Sequence, residues 1–218
     1  ELIQVYRQQD GRFLNLLNQV RENCLTPQSL AELNQRHIPH FSPADSEGYI
    51  TLCTHNAQAH RLNDSKLAAL PSPAVRFAAE ITGHFPDFSY PTDLQLELKV
   101  GAQVMFAKND TSEDKLFFNG KIGRVVAIED NTVRVRCPGD LADIPVSPMQ
   151  WDNIKYAIHP ETNQIAETIE GSFKQMPLKL AWAITIHKSQ GLTFERAIID
   201  ADASFAHGQV YVALSRCK

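Results

Sequence analysis

Apolar residues recur along the chain at helical spacing first, at alternating spacing in the middle, and in mixed spacing at the end. Near the start, one apolar stripe predicts an amphipathic helix packed on a core; it consists of Phe13, Leu16, Leu17, Val20 and Cys24. Thr26-Pro27 then places a capping residue before a proline. This order predicts a second helix, which ends near Ile38-Pro39.

The next pattern is a short β-rich run followed by polar residues. Residues 49–53 predict a buried strand, and Thr54-His55-Asn56 follow it directly. A helix is expected from there to about Leu70, before two prolines. A strand, a polar turn and a helix form half of a βαβ unit, and ligands bind at such strand ends.

The middle of the chain alternates between apolar and polar residues, which predicts strands. Single strands are expected at 75–81 and 94–100, and hairpins at 122–137 and 154–169, the latter turning at 160–163. Short strands with close turns favour a small antiparallel barrel. The α/β pattern then resumes, with strands expected at 178–186 and 196–200 and a helix at 209–216. The barrel therefore resembles an insertion.

Composition limits what the chain can bind. The formal net charge is −4, so contact with nucleic acid must be local. Residues 171–194 contain no acidic residue and hold Lys174, Lys179, His187 and Lys188. A buried strand also explains a charge-poor stretch, and composition alone does not decide between these explanations. No apolar run approaches the roughly 20 residues that span a bilayer, so no membrane association is expected.

The cysteines and acidic pairs suggest no metal centre. The four cysteines are scattered without a C-x-x-C pair, which predicts reduced thiols and a cytoplasmic protein; they are Cys24, Cys53, Cys137 and Cys217. Asp200 and Asp202 are interpreted as a solvated strand edge or a cap rather than as metal ligands. Trp182 is expected in the core, whereas Trp151 and Tyr156 are candidates for stacking on DNA bases.

Two strings carry possible chemistry. Residues 185–191, Thr-Ile-His-Lys-Ser-Gln-Gly, offer hydroxyl, imidazole, ammonium and amide donors, for which phosphate oxygens are natural acceptors. An ordinary solvated strand exit explains the same string equally well. Residues 208–216 end in Arg216, whose guanidinium suits a transferring phosphoryl group. A lone arginine on a helix is more often a surface charge.

Together these strings resemble motifs V and VI of superfamily 1 helicases, in the RecD-like and Pif-type group called superfamily 1B. Three further segments follow in the family's order: Val5 to Asp10 resembles motif IV, Thr51 to Asn63 resembles the strand and helix that contact DNA, and Leu98 to Met105 with Asn119 to Gly123 resembles the run into the inserted barrel. The resemblance therefore covers nearly the whole chain.

The resemblance implies an α/β fold: a RecA-like second motor domain, interrupted by a small SH3-like β-barrel known as domain 2B. The implied division is 1–98 for the first part of the motor domain, 99–176 for the barrel and 177–218 for the second part. The implied protein is a cytoplasmic 5′-to-3′ DNA helicase, nucleoid-associated if bacterial, that serves DNA repair and recombination.

The resemblance also assigns roles to residues. Arg7 and Arg216 match arginines that reach the γ-phosphate of ATP and stabilise charge in the transition state. Gln190, Gly191 and Thr193 match the approach to nucleotide, and many family members carry Glu at the position of Thr193. The matches to positions that hold single-stranded DNA by its backbone are Thr54, Asn56, Thr185, His187 and Lys188. No metal ligand is assigned.

One family element is absent from the sequence. The first motor domain of such helicases carries a P-loop, G-x-x-x-x-G-K-[ST], and no such string occurs here. The chain is therefore expected to be the C-terminal part of a helicase that is inactive alone, with ATP and Mg²⁺ bound mainly by a missing N-terminal domain. The alternatives are a non-catalytic nucleic-acid-binding module and a motor subunit of a recombination or nuclease complex.

Overall fold

The computed structural model describes residue 8 and residues 10–158, 165–204, 206 and 208–217. In chain order the elements are α1 (Gly11–Arg21), α2 (Pro27–Asn34), β1 (Ile50–Cys53), α3 (Asn56–Ala69), β2 (Val75–Ala78), β3 (Glu80–Gly83), β4 (Gln95–Leu98), β5 (Gln103–Phe106), β6 (Ile122–Glu129), β7 (Thr132–Arg136), β8 (Ile144–Val146), β9 (Met149–Ile158), β10 (Ile165–Gln175), β11 (Leu178–Leu180), β12 (Ala183–Thr185), β13 (Ala197–Asp200) and α4 (Gln209–Leu214). None of these helices combines the length and the apolar character needed to cross a membrane.

The described residues form two compact units. The first contains the residues up to Asp64 together with those from Trp182 onward, and the second runs from Ser65 to Ala181. The boundaries expected from the sequence, after residues 98 and 176, both fall inside the second unit. The interpretation of 99–176 as an inserted domain therefore stays a prediction.

The first two helices begin as the sequence predicts. Asp10 caps α1 by accepting hydrogen bonds from the backbone of Arg12 and Phe13, and Thr26 caps α2 with Pro27 at its first position. The predicted stripe is wrong at its last member, because α1 ends at Arg21 and leaves Cys24 outside. Asn23 has a positive φ of 54°, a left-handed conformation that ends a helix. Likewise, α2 ends at Asn34, before Ile38.

The first unit holds a three-stranded parallel sheet in the order β12-β1-β13. In β1, Ile50 and Leu52 are 0% exposed and Cys53 is 1% exposed. Such burial is typical of a central parallel strand covered on both faces. Helix α3 begins three residues after β1, as predicted, and its Ala59 packs against Cys53 and Ala183.

The second unit is built from antiparallel sheets, with orders β11-β5-β6-β7-β8, β3-β10-β9 and β2-β4. Strand β7 alternates as a one-sided strand should, since Val133 and Val135 are fully buried while Arg134 and Arg136 are exposed. Strand β8 (Ile144–Val146) was not predicted, because three residues with a central proline are too short to show alternation.

Two strands predicted as continuous are each divided between sheets. Residues 75–81 form β2 and β3, which pair with β4 and β10 respectively. Residues 178–186 form β11 and β12, which belong to different units. The Ala181 N–H donates to the carbonyl of Gln103, whereas the Trp182 carbonyl accepts from Thr51. Apolar continuity reports burial, not pairing, so the sequence did not reveal the change of partner.

The second predicted hairpin is longer than expected. Strands β9 and β10 pair from Met149 with Gln175 out to Ile158 with Ile165. The predicted turn at 160–163 lies outside the described residues. The register shifts between Ile169 and Gly171, and a Cβ at Gly171 would lie 2.5 Å from the carbonyl oxygen of His84. Glycine is thus required where β3 and β10 approach each other.

Candidate DNA and nucleotide site

The carboxyl ends of the three parallel strands in the first unit meet at one edge. Cys53, the last residue of β1, is the register partner of both Thr185 on β12 and Asp200 on β13. Because the strands are parallel, the loops that follow Cys53 and Thr185 leave the sheet side by side. The structure therefore brings the two groups of predicted DNA-contacting residues together. In open α/β sheets this edge is where ligands bind.

The first of these loops is residues 54–56. The Thr54 side chain is buried, and its Oγ1 lies 2.8 Å from Nδ1 of His55. His55 and Asn56 are exposed, and Asn56 is the first residue of α3. The predicted contact residue Thr54 thus shapes the loop from inside, while Asn56 is placed where a ligand can reach it.

The second loop is a tight turn at residues 186–189. The Ile186 N–H donates to the Cys53 carbonyl at 2.8 Å and extends the ladder of β1 and β12 beyond the strand. Oγ1 of Thr185 accepts from the Lys188 N–H at 3.3 Å, and the Ser189 hydroxyl donates to the Ile186 carbonyl at 2.6 Å.

The polar residues of the turn divide into buried ones, which stabilise it, and exposed ones. Thr185 is 4% exposed and Ser189 is 0% exposed, so both hydroxyls serve the turn itself. His187 and Lys188 are exposed at its tip. The arrangement presents an imidazole and an ammonium group beside the 54–56 loop, which suits a chain of phosphates.

Residues 190–194 follow the turn along the chain. Gln190 and Gly191 are exposed, Thr193 is half-buried and Phe194 is buried. Gly191 has a φ of +84°, and no heavy atom lies within 4 Å of the position of its missing Cβ. The backbone is open there, so a ligand can approach it closely.

Phe194 joins this segment to the end of α4. Its N–H donates to the carbonyl of Arg216 at 2.8 Å, and Phe194 and Cys217 form a parallel bridge. The structure thus places Thr193 beside the backbone of Arg216. No sequence pattern predicts this contact, because it joins two backbone segments that are remote along the chain.

The guanidinium of Arg216 is held against its own helix. Its Nε donates to the Val212 carbonyl at 3.1 Å, and its Nη2 donates to Oγ of Ser215 at 2.8 Å. The Ser215 hydroxyl in turn donates to the Val212 carbonyl at 2.8 Å. Arg216 is half-buried in this arrangement. The second predicted arginine, Arg7, lies outside the described residues.

Other candidates have structural explanations. The Asp200 carboxylate accepts a hydrogen bond of 2.5 Å from the Gln58 side chain, and Asp202 is exposed. Within the described part of the chain, no three His, Cys, Asp or Glu side chains are grouped to hold a metal. Burial, and then the charge of Asp200, raise the pKa of the Cys53 thiol to about 11, which keeps this end of β1 uncharged.

Of the expectations for the aromatic residues, the structure tests only the one for Trp182. Trp182 is 4% exposed, which confirms that it is a core residue. In the second unit, Trp151 is half-buried with the ammonium of Lys108 4.9 Å from its ring centroid. Tyr156 on β9 is 63% exposed. Their role in stacking on DNA stays a prediction.

The chain is similar to known proteins over nearly its whole length, although no family model matches it. It is 31% identical to the ATP-dependent DNA helicase Pif1 of Campylobacter jejuni over 237 residues, which cover 99% of this chain and 51% of that protein. The crystal structure of Bacteroides sp Pif1 in complex with ADP-AlF4 matches with a TM-score of 0.88 at 40% identity, covering 99% of this chain and 48% of that one.

A second Bacteroides Pif1 structure, bound to ssDNA, matches with a TM-score of 0.69 at 39% identity, over 99% of this chain and 48% of that one. The chain thus spans about half the length of the Campylobacter relative and of both solved structures. The match to these structures confirms the predicted α/β fold class with a RecA-like motor domain. Over nearly its whole length, the chain therefore matches about half of a Pif1-type helicase of superfamily 1B.

Proposed function

We propose that the protein containing this chain is an ATP-dependent DNA helicase that moves 5′ to 3′. The observation that carries the proposal is the continuity of residues 186–194. This segment leaves the sheet at the exposed His187 and Lys188 and ends in a hydrogen bond to the carbonyl of Arg216. One short segment therefore connects the predicted DNA-binding turn to the predicted catalytic arginine.

In this proposal, the loops at 54–56 and 186–189 hold single-stranded DNA by its phosphates. The contacts come from exposed polar groups and one lysine rather than from base edges, so binding is tolerant of sequence. The Bacteroides relative that crystallised with ssDNA supports a DNA partner for this fold. Thr54 and Thr185 support the two loops from inside the fold.

The nucleotide lies mainly on another part of the protein, which carries a P-loop and the ligands of Mg²⁺. Gln190, Gly191 and Thr193 approach the nucleotide from this chain. Arg216, with Arg7, stabilises the charge that develops on the transferring phosphoryl group. The donors at 190–193 are exposed or half-buried and the guanidinium carries several N–H groups, so they fit an anionic ligand. Bacteroides sp Pif1 with ADP-AlF4 supports nucleotide use.

The motor domain of this chain and the P-loop domain close when ATP binds and reopen after hydrolysis. This cycle moves the DNA-binding loops along the single strand. For Arg216 to reach across, its guanidinium must leave Ser215 and the Val212 carbonyl. The antiparallel sheet β11-β5-β6-β7-β8, four of whose strands lie within residues 99–176, supports the assignment of an SH3-like domain 2B to those residues. A cytoplasmic location and a role in repair and recombination belong to the same proposal.

The test is ATP hydrolysis by the full-length protein with and without single-stranded DNA. In Arg216→Ala, kcat is expected to fall by about 10³-fold or more, while the dissociation constants of nucleotide and DNA change little. Arg216→Lys keeps the charge without the planar fork and is also expected to be slow. Arg36→Ala, which removes an exposed arginine of the same unit, is the matched control.

The outcome also separates the alternatives. A wild-type protein that binds DNA and hydrolyses no ATP would be a non-catalytic binding module. Equal kcat values for Arg216→Ala and wild type would remove the arginine from the mechanism. Hydrolysis that depends on added partner proteins would favour a motor subunit of a larger complex.

A further inference from the structure

Strand β12 has a sheet neighbour on only one side, among the described strands. Its pairing with β1 uses the carbonyl of Trp182 and the N–H of Ile186. Because successive peptide groups of a strand point to opposite edges, the N–H and carbonyl of Ala183 point away from β1. Ala183 is 1% exposed, so these two groups cannot be satisfied by bulk water.

Asn63 on α3 satisfies both groups at once. Its Nδ2 donates to the Ala183 carbonyl at 2.9 Å, and its Oδ1 accepts from the Ala183 N–H at 2.9 Å. A side-chain amide offers the same donor and acceptor as a backbone peptide. Asn63 therefore takes the place of a further strand at this edge of the sheet.

Helix α3 is also fixed to the opposite edge. The Gln58 amide donates to the carboxylate of Asp200 on β13, and Ala59 packs on Cys53 and Ala183 with Leu62 beside it. The helix starts at Asn56, in the first loop, and Asn63 holds β12 two residues before Thr185. Asn63 therefore links helix α3, which begins in the 54–56 loop, to strand β12, which leads into the 186–189 turn.

We propose that Asn63 is a positioning residue for single-stranded DNA. It sets the place of the 186–189 turn relative to residues 54–56 without contacting DNA itself, so that both loops meet one strand at the spacing of its phosphates. This inference rests on the function proposed above, because it needs both loops to bind the same DNA.

The first measurement is the affinity of the full-length protein for a fluorescent oligodeoxythymidine. Asn63→Ala is expected to weaken binding about tenfold, from the loss of two partly buried hydrogen bonds that hold β12 before the turn. The DNA concentration for half-maximal ATP hydrolysis rises by the same factor, while kcat at saturating DNA and nucleotide affinity stay within about twofold. A merely structural role would instead lower kcat by reducing the folded fraction.

Two variants sharpen the comparison. Asn18→Ala removes an exposed helical asparagine from the same unit and should leave DNA affinity unchanged. Asn63→Gln keeps the amide and displaces it by one methylene, so it should weaken DNA binding even if Asn63→Ala folds poorly.

A double-mutant cycle tests whether Asn63 affects DNA binding through the 186–189 turn. In a Lys188→Ala background, Asn63→Ala should raise the dissociation constant less than about threefold, since the positioned cation is gone. Full additivity of the two substitutions would overturn the inference. It would also be overturned if Asn63→Ala and Asn63→Gln both bound DNA within twofold of wild type. Either result would leave the helicase proposal intact. A wild-type protein without DNA binding would overturn both.

Discussion

Cys53 ends the central strand of the parallel sheet, directly before the loop at 54–56. It is 1% exposed, and burial, then the charge of Asp200, raise its thiol pKa to about 11. Burial likewise raises the pKa of Cys137, in the second unit, to about 11. Because the thiolate is the reactive form, both groups are shielded by position and by protonation.

Alkylation measures how well the fold protects these two thiols. In native protein at pH 8, iodoacetamide should label the exposed Cys24 and leave Cys53 and Cys137 unmodified until denaturant is added. Peptide mass spectrometry over time measures each site. Equal labelling rates at Cys24 and Cys53 would contradict the buried placement of β1.

The raised pKa values of the two thiols also predict how the stability of the fold changes with pH. Between pH 9 and pH 11, the unfolded thiols lose their protons while the folded ones keep them. The free energy of unfolding should therefore fall as pH rises through this window, with full stabilisation retained below pH 9.

At the scale of elements, Gly123 on β6 shows how closely the second unit is packed. A Cβ there would lie 2.4 Å from Cγ1 of Val135 and 2.9 Å from the carbonyl oxygen of Arg136. Both atoms belong to β7, so a side chain at this position would push β6 and β7 apart.

Gly123→Ala is expected to lower the free energy of unfolding by about 1–3 kcal/mol, the usual cost of overpacking. Gly11→Ala is the matched control, because no heavy atom lies within 4 Å of the position of its missing Cβ at the start of α1. Urea titrations of both variants give the difference directly. Equal midpoints would show that β6 and β7 can move apart without loss.

Elements with local causes were predictable from sequence. The cap at Thr26, the strand before Thr54 and the hairpin of β6 and β7 depend on neighbouring residues, and each is present. The divisions at Ala79 and Ala181 were not predictable, because they depend on which remote strand supplies the hydrogen bonds.

The same distinction holds within the candidate site. Family motifs suggested His187 and Lys188, and the structure places both at an exposed turn; their contact with DNA stays a prediction. The hydrogen bonds of Asn63 to Ala183 and of Phe194 to Arg216 were not predicted, because both go to backbone atoms. A backbone partner leaves no trace in residue type, so only the folded chain reveals such contacts.

At the scale of the whole molecule, a net charge of −4 opposes binding to DNA. In the proposed function, affinity for DNA comes from a few cations in local contact with phosphates. Each such contact releases counterions, so its contribution appears in the dependence of affinity on salt.

Lys188→Ala should reduce the slope of log K against log salt concentration by about 0.7, the value for one phosphate contact on single-stranded DNA. Arg36→Ala removes a charge of the same sign from the first unit and should change the slope little. Fluorescence anisotropy between low and physiological salt measures both. An unchanged slope in Lys188→Ala would place this lysine away from the DNA backbone.

The parallel sheet of the first unit also has a consequence for synthesis. Strand β1 is made before its partners β12 and β13, which follow only after the whole second unit. About 130 residues separate Cys53 from Thr185. At a translation rate of about 5–20 residues per second, roughly 7–26 seconds pass between the synthesis of β1 and that of its first sheet partner, β12. During that interval the nascent chain exposes Ile50 and Leu52 to chaperones, so slowing the ribosome within residues 65–181 should lengthen chaperone association.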